Sequence, residues 1–247
     1  MYKEFFEQKK AIIFDLDGTI LNTTSYWEMA LTRVMAELKI YETYEGKGVG
    51  VYVGDKIRTL LDLNNVSTHG VSVTTLIGYA NEAFLKLIDS DVELTVREGF
   101  FSFVEELKQR NKSIVLCTNS DKYVVDRLLS KFMLTPFFDV VFTGDMVKRR
   151  KPAPDIYNLV AKTLNIKPRE CLVFEDALVG IEAARKAKMD VIAIWDPLSD
   201  LMPESYPLNV VYYTTDFEEF PGNLDFTPKE LVDTMKKAYD QDPSAFE

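Results

Sequence analysis

Two carboxylates stand one residue apart in Asp15-Leu16-Asp17-Gly18-Thr19, directly after the apolar run Ala11-Ile12-Ile13-Phe14. In an extended chain, residues i and i+2 point to the same side. The spacing therefore predicts two acids on one face at the carboxyl end of a buried strand. Like charges so placed repel, and a cation, a shared proton or water must relieve them. The pair points to a metal-dependent reaction centre, with a turn and helix cap as the plain alternative.

Three more polar groups sit beside short apolar runs. Thr118-Asn119-Ser120 follows Ser113–Cys117, and Glu175-Asp176 follows Cys171–Phe174. Lys151 lies in Lys148-Arg149-Arg150-Lys151-Pro152-Ala153-Pro154-Asp155. Taken singly, these read as a helix N-cap, a solvated basic turn and acids favouring a helix dipole. Taken together they supply carboxylates, short hydroxyl and amide donors, and one ammonium. That inventory suits phosphoryl transfer: a hard cation takes oxygen ligands, and phosphate oxygens need donors and positive charge in the transition state.

Something must bring these groups to one place. Further apolar runs occur at Val140–Phe142, Val191–Ile194 and Val210–Tyr213. Segments of helical spacing separate most of them: Phe103, Leu107 and Arg110; Val124, Leu128 and Phe132; Ile156, Val160 and Leu164; Ile181, Ala184 and Ala187. The alternation predicts an α/β fold, a three-layer Rossmann-like core with a mainly parallel sheet covered on both faces. In such sheets, groups at the carboxyl ends of strands converge on one crevice.

From Asn22 to Leu94 the rhythm changes to helical stripes: Trp27, Leu31, Val34 and Leu38; Ile57, Leu60 and Leu61; Leu76, Ala80, Ala83 and Leu87. This stretch reads as an inserted helical cap. The expected domains are an α/β catalytic core at 1–21 and 95–247 and a cap at 22–94. Gly46-Lys47-Gly48-Val49-Gly50 lacks the Gly-Lys-Ser/Thr ending of a phosphate loop and reads as a flexible turn. A final helix is expected after Pro228.

The four polar segments, in this order, resemble the four motifs of the haloacid dehalogenase superfamily of phosphotransferases: Asp15-Leu16-Asp17-Gly18-Thr19, Thr118-Asn119, Lys151-Pro152-x-Pro154-Asp155, and Phe174-Glu175-Asp176 with Gly180 and Ala183-Ala184. The insertion is similar to the cap of the subgroup holding β-phosphoglucomutase and the pseudouridine-5'-phosphate and sugar-phosphate phosphatases. The resemblance implies that Asp15 is the nucleophile and becomes an aspartyl-phosphate, and that Asp17 is the acid and base. It implies that Thr118, the Asn119 backbone and Lys151 hold phosphate. It also implies Mg²⁺ on Asp15, Asp176 and the Asp17 carbonyl, with Glu175 as ligand or support. Ala177 and Asn22 depart from common family residues without touching these roles. Lys188 stands where the family usually has Gly, at a position expected to be left-handed.

The resemblance leaves several functions to separate. Hydrolysis of a small phosphomonoester (a sugar, polyol or nucleoside monophosphate) is the expectation. A phosphomutase needs basic cap residues toward the site; Lys47, Lys56, Arg58 and Lys86 are available, but the helix around Ala80 is apolar. Asp17 argues against dehalogenase and phosphonate-cleaving chemistry, whose family members usually replace it. The intact motif residues argue against a catalytically silent binding protein.

Composition narrows the partners. The net charge of the 247-residue chain is -10, which disfavours nucleic acid, because binding there depends on neutralising phosphates with Lys and Arg. No apolar run approaches the roughly 20 residues that span a bilayer, and the first ten residues lack a signal peptide's apolar centre. A cytoplasmic monomer acting on a small phosphorylated metabolite is expected. Cys117 and Cys171 read as buried reduced thiols. The single histidine, His69, makes a Ser-His-Asp triad or a multi-histidine zinc site a poor explanation.

Overall fold

A computed structural model describes residues 6–41, 49–65, 68, 70–195, 205–218 and 220. His69, Gly46-Lys47-Gly48 and the segment after Pro228 lie outside the described residues.

Six strands form one sheet in the order β3-β2-β1-β4-β5-β6, and every described pair is parallel. They are β1 (Ala11–Phe14), β2 (Ser113–Cys117), β3 (Val140–Phe142), β4 (Cys171–Glu175), β5 (Asp190–Ile194) and β6 (Val210–Thr214). The strands are apolar on both faces because helices cover both. Ile12 and Phe14, Ile114 and Leu116, and Leu172 and Phe174 enter one core. Their neighbours Ile13, Val115 and Val173 enter the other. The first core is aromatic: Phe14 stacks on Phe174 at 4.9 Å and meets Phe100 edge-on at 5.4 Å. Burying such a side chain contributes roughly 1.5–3 kcal/mol.

The segment inserted after β1 holds three helices: α1 (Thr24–Glu37), α2 (Val53–Asn64) and α3 (Val73–Ser90). They share a separate cluster that includes Leu31, Val34, Ile57, Leu60, Leu76 and Ala80. The Ser72 side chain accepts the Thr75 amide at 3.0 Å and starts α3, and left-handed Asn65 (φ 48°) ends α2. The buried face of α3 is rotated from the expected stripe: Phe84, Leu85 and Ile88 are buried, while Ala83 and Leu87 are half-buried. The Trp27–Phe84 stack at 3.8 Å draws that face toward the sheet-side core. Leu21 and Val96 pair where the segment leaves and returns.

Four helices cover the sheet: α4 (Phe100–Gln109), α5 (Lys122–Lys131), α6 (Asp155–Thr163) and α7 (Leu178–Lys186). Arg110 does not share the buried face of α4. The helix stops at Gln109, and Arg110 is exposed and paired with Glu106 at 2.6 Å. Lys188, just past α7, has φ 63° as expected. Both cysteines are free and buried. Among the described residues, no helix is long and apolar enough to cross a membrane.

Candidate active site

Strand register assembles the centre of the site. Phe14 lies opposite Leu116 on β2 and Phe174 on β4. One row further along come Cys117, Asp15 and Glu175, side by side. The Lys151 ammonium closes that row, donating to Asp15 Oδ1 at 2.6 Å, to Glu175 Oε1 at 2.7 Å and to the Cys117 carbonyl at 2.8 Å. Its three protons thus have three acceptors. Lys151 is itself buried, so no water can replace a lost partner.

Asp17 sits in a different setting. Its Oδ1 accepts the Thr23 hydroxyl at 2.7 Å and the Trp27 indole N–H at 2.9 Å, and its Oδ2 accepts the Ser120 hydroxyl at 2.6 Å. The i, i+2 argument from sequence therefore needs correction. β1 ends at Phe14, so both acids lie on the turn beyond it, and neutral donors separate Asp17 from the charged row. Asp15 and Asp17 still line one cavity.

Two glycines permit the close packing. A Cβ on Gly18, whose φ is +89°, would lie 2.1 Å from Asp176 Oδ2. A Cβ on Gly180 would lie 1.6 Å from Glu175 Oε1. Thr19 donates to Asp176 Oδ1 at 3.0 Å, and the Ala177 amide donates to Glu175 Oε2 at 3.0 Å. Thr118 and Asn119 follow β2 and are buried. The Thr118 hydroxyl accepts the Ser120 amide at 3.1 Å. The Asn119 carboxamide spans two loops: its oxygen accepts the Lys151 amide at 2.9 Å, and its nitrogen donates to the Gly50 carbonyl at 3.0 Å.

The electrostatics are those of an acid cluster with too few counter-charges. Burial works against the Lys151 charge, but Asp15 and Glu175 outweigh it and hold its pKa well above the usual lysine value. Burial lifts Asp15 well above the ordinary carboxylate range; Lys151 opposes this, while Glu175 and Asp176 add to it. Asp176, still partly exposed, is pushed up to about 8 by burial and then by Glu175, against the Thr19 hydrogen bond. Burial pushes the Cys117 thiol up to about 12, so it stays protonated beside this row.

The acids suit a hard cation. Asp15, Glu175 and Asp176 each offer an oxygen within 4.8 Å of the others, and an all-oxygen anionic set is what magnesium takes. Glu175 already serves Lys151 and the Ala177 amide. That leaves Asp15 and Asp176 as the better direct donors. The Asp17 carboxylate is not part of this cluster.

Residues 12–194 match the family model for haloacid dehalogenase-like hydrolases. The chain belongs to that family. This haloacid dehalogenase-like hydrolase is 28% identical over 206 residues to the fructose-1-phosphate phosphatase YqaB of Escherichia coli, which covers 76% of this chain and 98% of that protein. It is 30% identical over 190 residues to the phosphorylated carbohydrates phosphatase of Thermotoga maritima, which covers 74% of this chain and 83% of that one. Its fold matches β-phosphoglucomutase from Clostridium difficile with a TM-score of 0.73 at 23% identity, over 94% of this chain and 98% of that one.

Sequence reasoning missed the partners of Asp17. Trp27 counted only as an apolar member of a helical stripe, although a buried indole N–H usually needs an acceptor. It also missed the junction at Tyr52, whose hydroxyl donates to Asp121 Oδ2 at 2.8 Å while the Arg150 guanidinium lies 3.7 Å over its ring.

Proposed function

We propose that this hydrolase is a Mg²⁺-dependent phosphatase of a small phosphomonoester: a sugar, polyol or nucleoside monophosphate. The observation that carries the proposal is the buried row of Asp15, Lys151 and Glu175 beside a cavity that also holds Asp17. In this reading Asp15 attacks phosphorus and the ester P–O bond breaks. Asp17 gives its proton to the departing alkoxide, which becomes the alcohol. Asp17 then takes a proton from water, the resulting hydroxide attacks phosphorus of the aspartyl-phosphate, the bond from phosphorus to the Asp15 oxygen breaks, and inorganic phosphate leaves a free Asp15 carboxylate. Two of the three Asp17 donors are hydroxyls, which can turn and accept. The carboxyl therefore keeps its partners with or without the proton.

Lys151, Thr118 and the Asn119 backbone hold the phosphoryl oxygens in this scheme, and Lys151 keeps Asp15 in line. Asp15, Asp176 and the Asp17 carbonyl would hold the cation, with Glu175 supporting. When bound, the cation offsets the repulsion between an anionic ester and an anionic nucleophile. The segment 22–94 acts as the cap that excludes bulk water and meets the leaving group. The phosphatases of Escherichia coli and Thermotoga maritima support a phosphorylated carbohydrate as substrate.

The likeness of fold to β-phosphoglucomutase keeps a phosphomutase as the second reading. A panel of phosphate esters, scored for released phosphate and for isomerised product, separates the two. Phosphate release that requires Mg²⁺ and disappears in Asp15→Asn is expected. Full activity in excess chelator, or isomer formation without release, would overturn the phosphatase.

A further inference from the structure

Arg97 stands outside every segment that carries the chemistry, where the inserted helices return to the sheet shortly before α4. It nevertheless meets three successive carbonyls of the turn beyond Asp17. Its Nη2 donates to the Gly18 carbonyl at 2.7 Å, its Nε to the Thr19 carbonyl at 2.8 Å, and its own backbone amide to the Ile20 carbonyl at 2.9 Å. Its Nη1 donates to the Thr215 carbonyl at 2.8 Å, just past β6. The Phe217 amide in turn donates to the Glu98 carbonyl at 2.9 Å, which ties that stretch to the residue after Arg97. The guanidinium is thus anchored at the end of β6 while it grips the turn. A planar fork of donors suits this arrangement, and the point charge of a lysine does not.

The gripped turn bears directly on Asp176. The Thr19 hydroxyl donates to Asp176 Oδ1, and Gly18 packs so closely that only the lack of a Cβ leaves room for Oδ2. We infer that Arg97 is a positioning residue for the reaction centre: it fixes residues 18–20 by their carbonyls and so, through the Thr19 hydroxyl, holds Asp176 where a cation is to be bound. The inference rests on the phosphatase reading for its cation and extends it to a residue outside the motifs. Two effects of the guanidinium on Mg²⁺ have opposite signs. Through space, its positive charge repels the metal. Through the turn, it keeps a carboxylate ligand aimed, and outer hydrogen bonds of that kind are worth about 10–100-fold in metal affinity. Arg97 is half-buried and bonded to the turn at three consecutive residues, so aim outweighs repulsion.

Mg²⁺ binding by calorimetry and amide exchange in chelator, both on the full chain, make the test. Thr19→Val removes the hydroxyl at Asp176 and should weaken Mg²⁺ by about tenfold. Arg97→Met should weaken it to a similar extent, about tenfold, although it removes a repelling charge. In the Thr19→Val background the same Arg97→Met should cost less than about twofold, because both substitutions break one link. Arg97→Lys keeps the charge without the fork and should still lose about fivefold; it also carries the test should Arg97→Met fail to fold. In chelator, the Ile20 and Leu21 amides, each bonded to the Leu16 carbonyl at 3.0 Å, should exchange about tenfold faster in the Arg97 variants, with β1 and β4 unchanged. Unchanged or tighter Mg²⁺ binding in the Arg97 variants would overturn the inference. Losses that multiply in the double variant, or equal acceleration across the sheet, would mark a merely structural strut and overturn it as well. A wild-type protein that binds no Mg²⁺ would refute the metal reading alone, and local exchange at Ile20 and Leu21 would then decide the role of Arg97.

Discussion

Asp15 and Asp17 are separated by one residue and by their surroundings. Asp15 faces a buried ammonium, and Asp17 faces two hydroxyls and an indole. Their division of labour predicts different lesions. Asp17→Asn keeps the shape and the acceptor oxygen but cannot carry the proton. Turnover should fall by about 10²–10⁴-fold, while Mg²⁺ affinity, read by calorimetry, stays near that of the wild type. Unchanged turnover would remove Asp17 as the proton carrier. Lys188 gives a prediction of opposite sign. Its φ of 63° is unfavourable for a residue with a Cβ. Lys188→Gly should stabilise by about 1 kcal/mol and raise Tm by roughly 2–4 °C. A melting curve that shows no gain would contradict the strain.

At the scale of elements, the strands were the most legible part of the sequence. Runs such as Ala11–Phe14 and Ser113–Cys117 are continuous, short and β-branched because helices bury both of their faces. The four polar segments were legible as chemistry because each abuts a strand end. The docking between elements was not legible. Tyr52 in the insertion and Arg150 in the basic stretch are far apart in sequence, and neither has a periodicity that announces a partner. Arg150 read as part of a solvated turn, yet it packs over Tyr52 and pairs with Asp121 at 2.5 Å. Likewise Asn119 reaches the Gly50 carbonyl through a contact 69 residues away. Such contacts depend on how helices seat on a sheet, which no local pattern encodes. The junction can be measured directly. Tyr52→Phe removes the hydrogen bond to Asp121 and keeps the ring. Amide exchange in α2 should accelerate about fivefold, the equivalent of roughly 1 kcal/mol, with β1 and β4 unchanged. Equal acceleration in the sheet would mean that the bond serves the whole fold and not the junction.

At the scale of the whole molecule, the acid cluster links stability to pH and to metal. Asp15 and Asp176 have raised pKa values in the folded, metal-free protein, Asp176 up to about 8. The folded state therefore binds more protons than the unfolded chain between about pH 4, the ordinary carboxylate value, and about pH 8. Stability must fall as pH rises through that window. Lys151, raised above the usual lysine value, contributes a constant amount there and loses it only at higher pH. Half-buried acids with lowered pKa values, such as Asp155 and Glu170, lose their contribution only on acidification below the window. In chelator, Tm should therefore decline from pH 5 to pH 8. In the proposed function Mg²⁺ takes the ionised acids, so it should raise Tm more at pH 8 than at pH 6. A metal-free Tm that climbs over this range would contradict the buried, under-compensated cluster.

The Trp27 indole touches Asp17 through its nitrogen and rests flat on Phe84 through its rings. Evolutionary drift in the packing between α1 and α3 is consequently never silent at the reacting centre. A lineage that reshapes those helices to admit a new metabolite also retunes the alignment of Asp17, the proton carrier proposed above, so altered substrate range and altered catalytic speed should be inherited together.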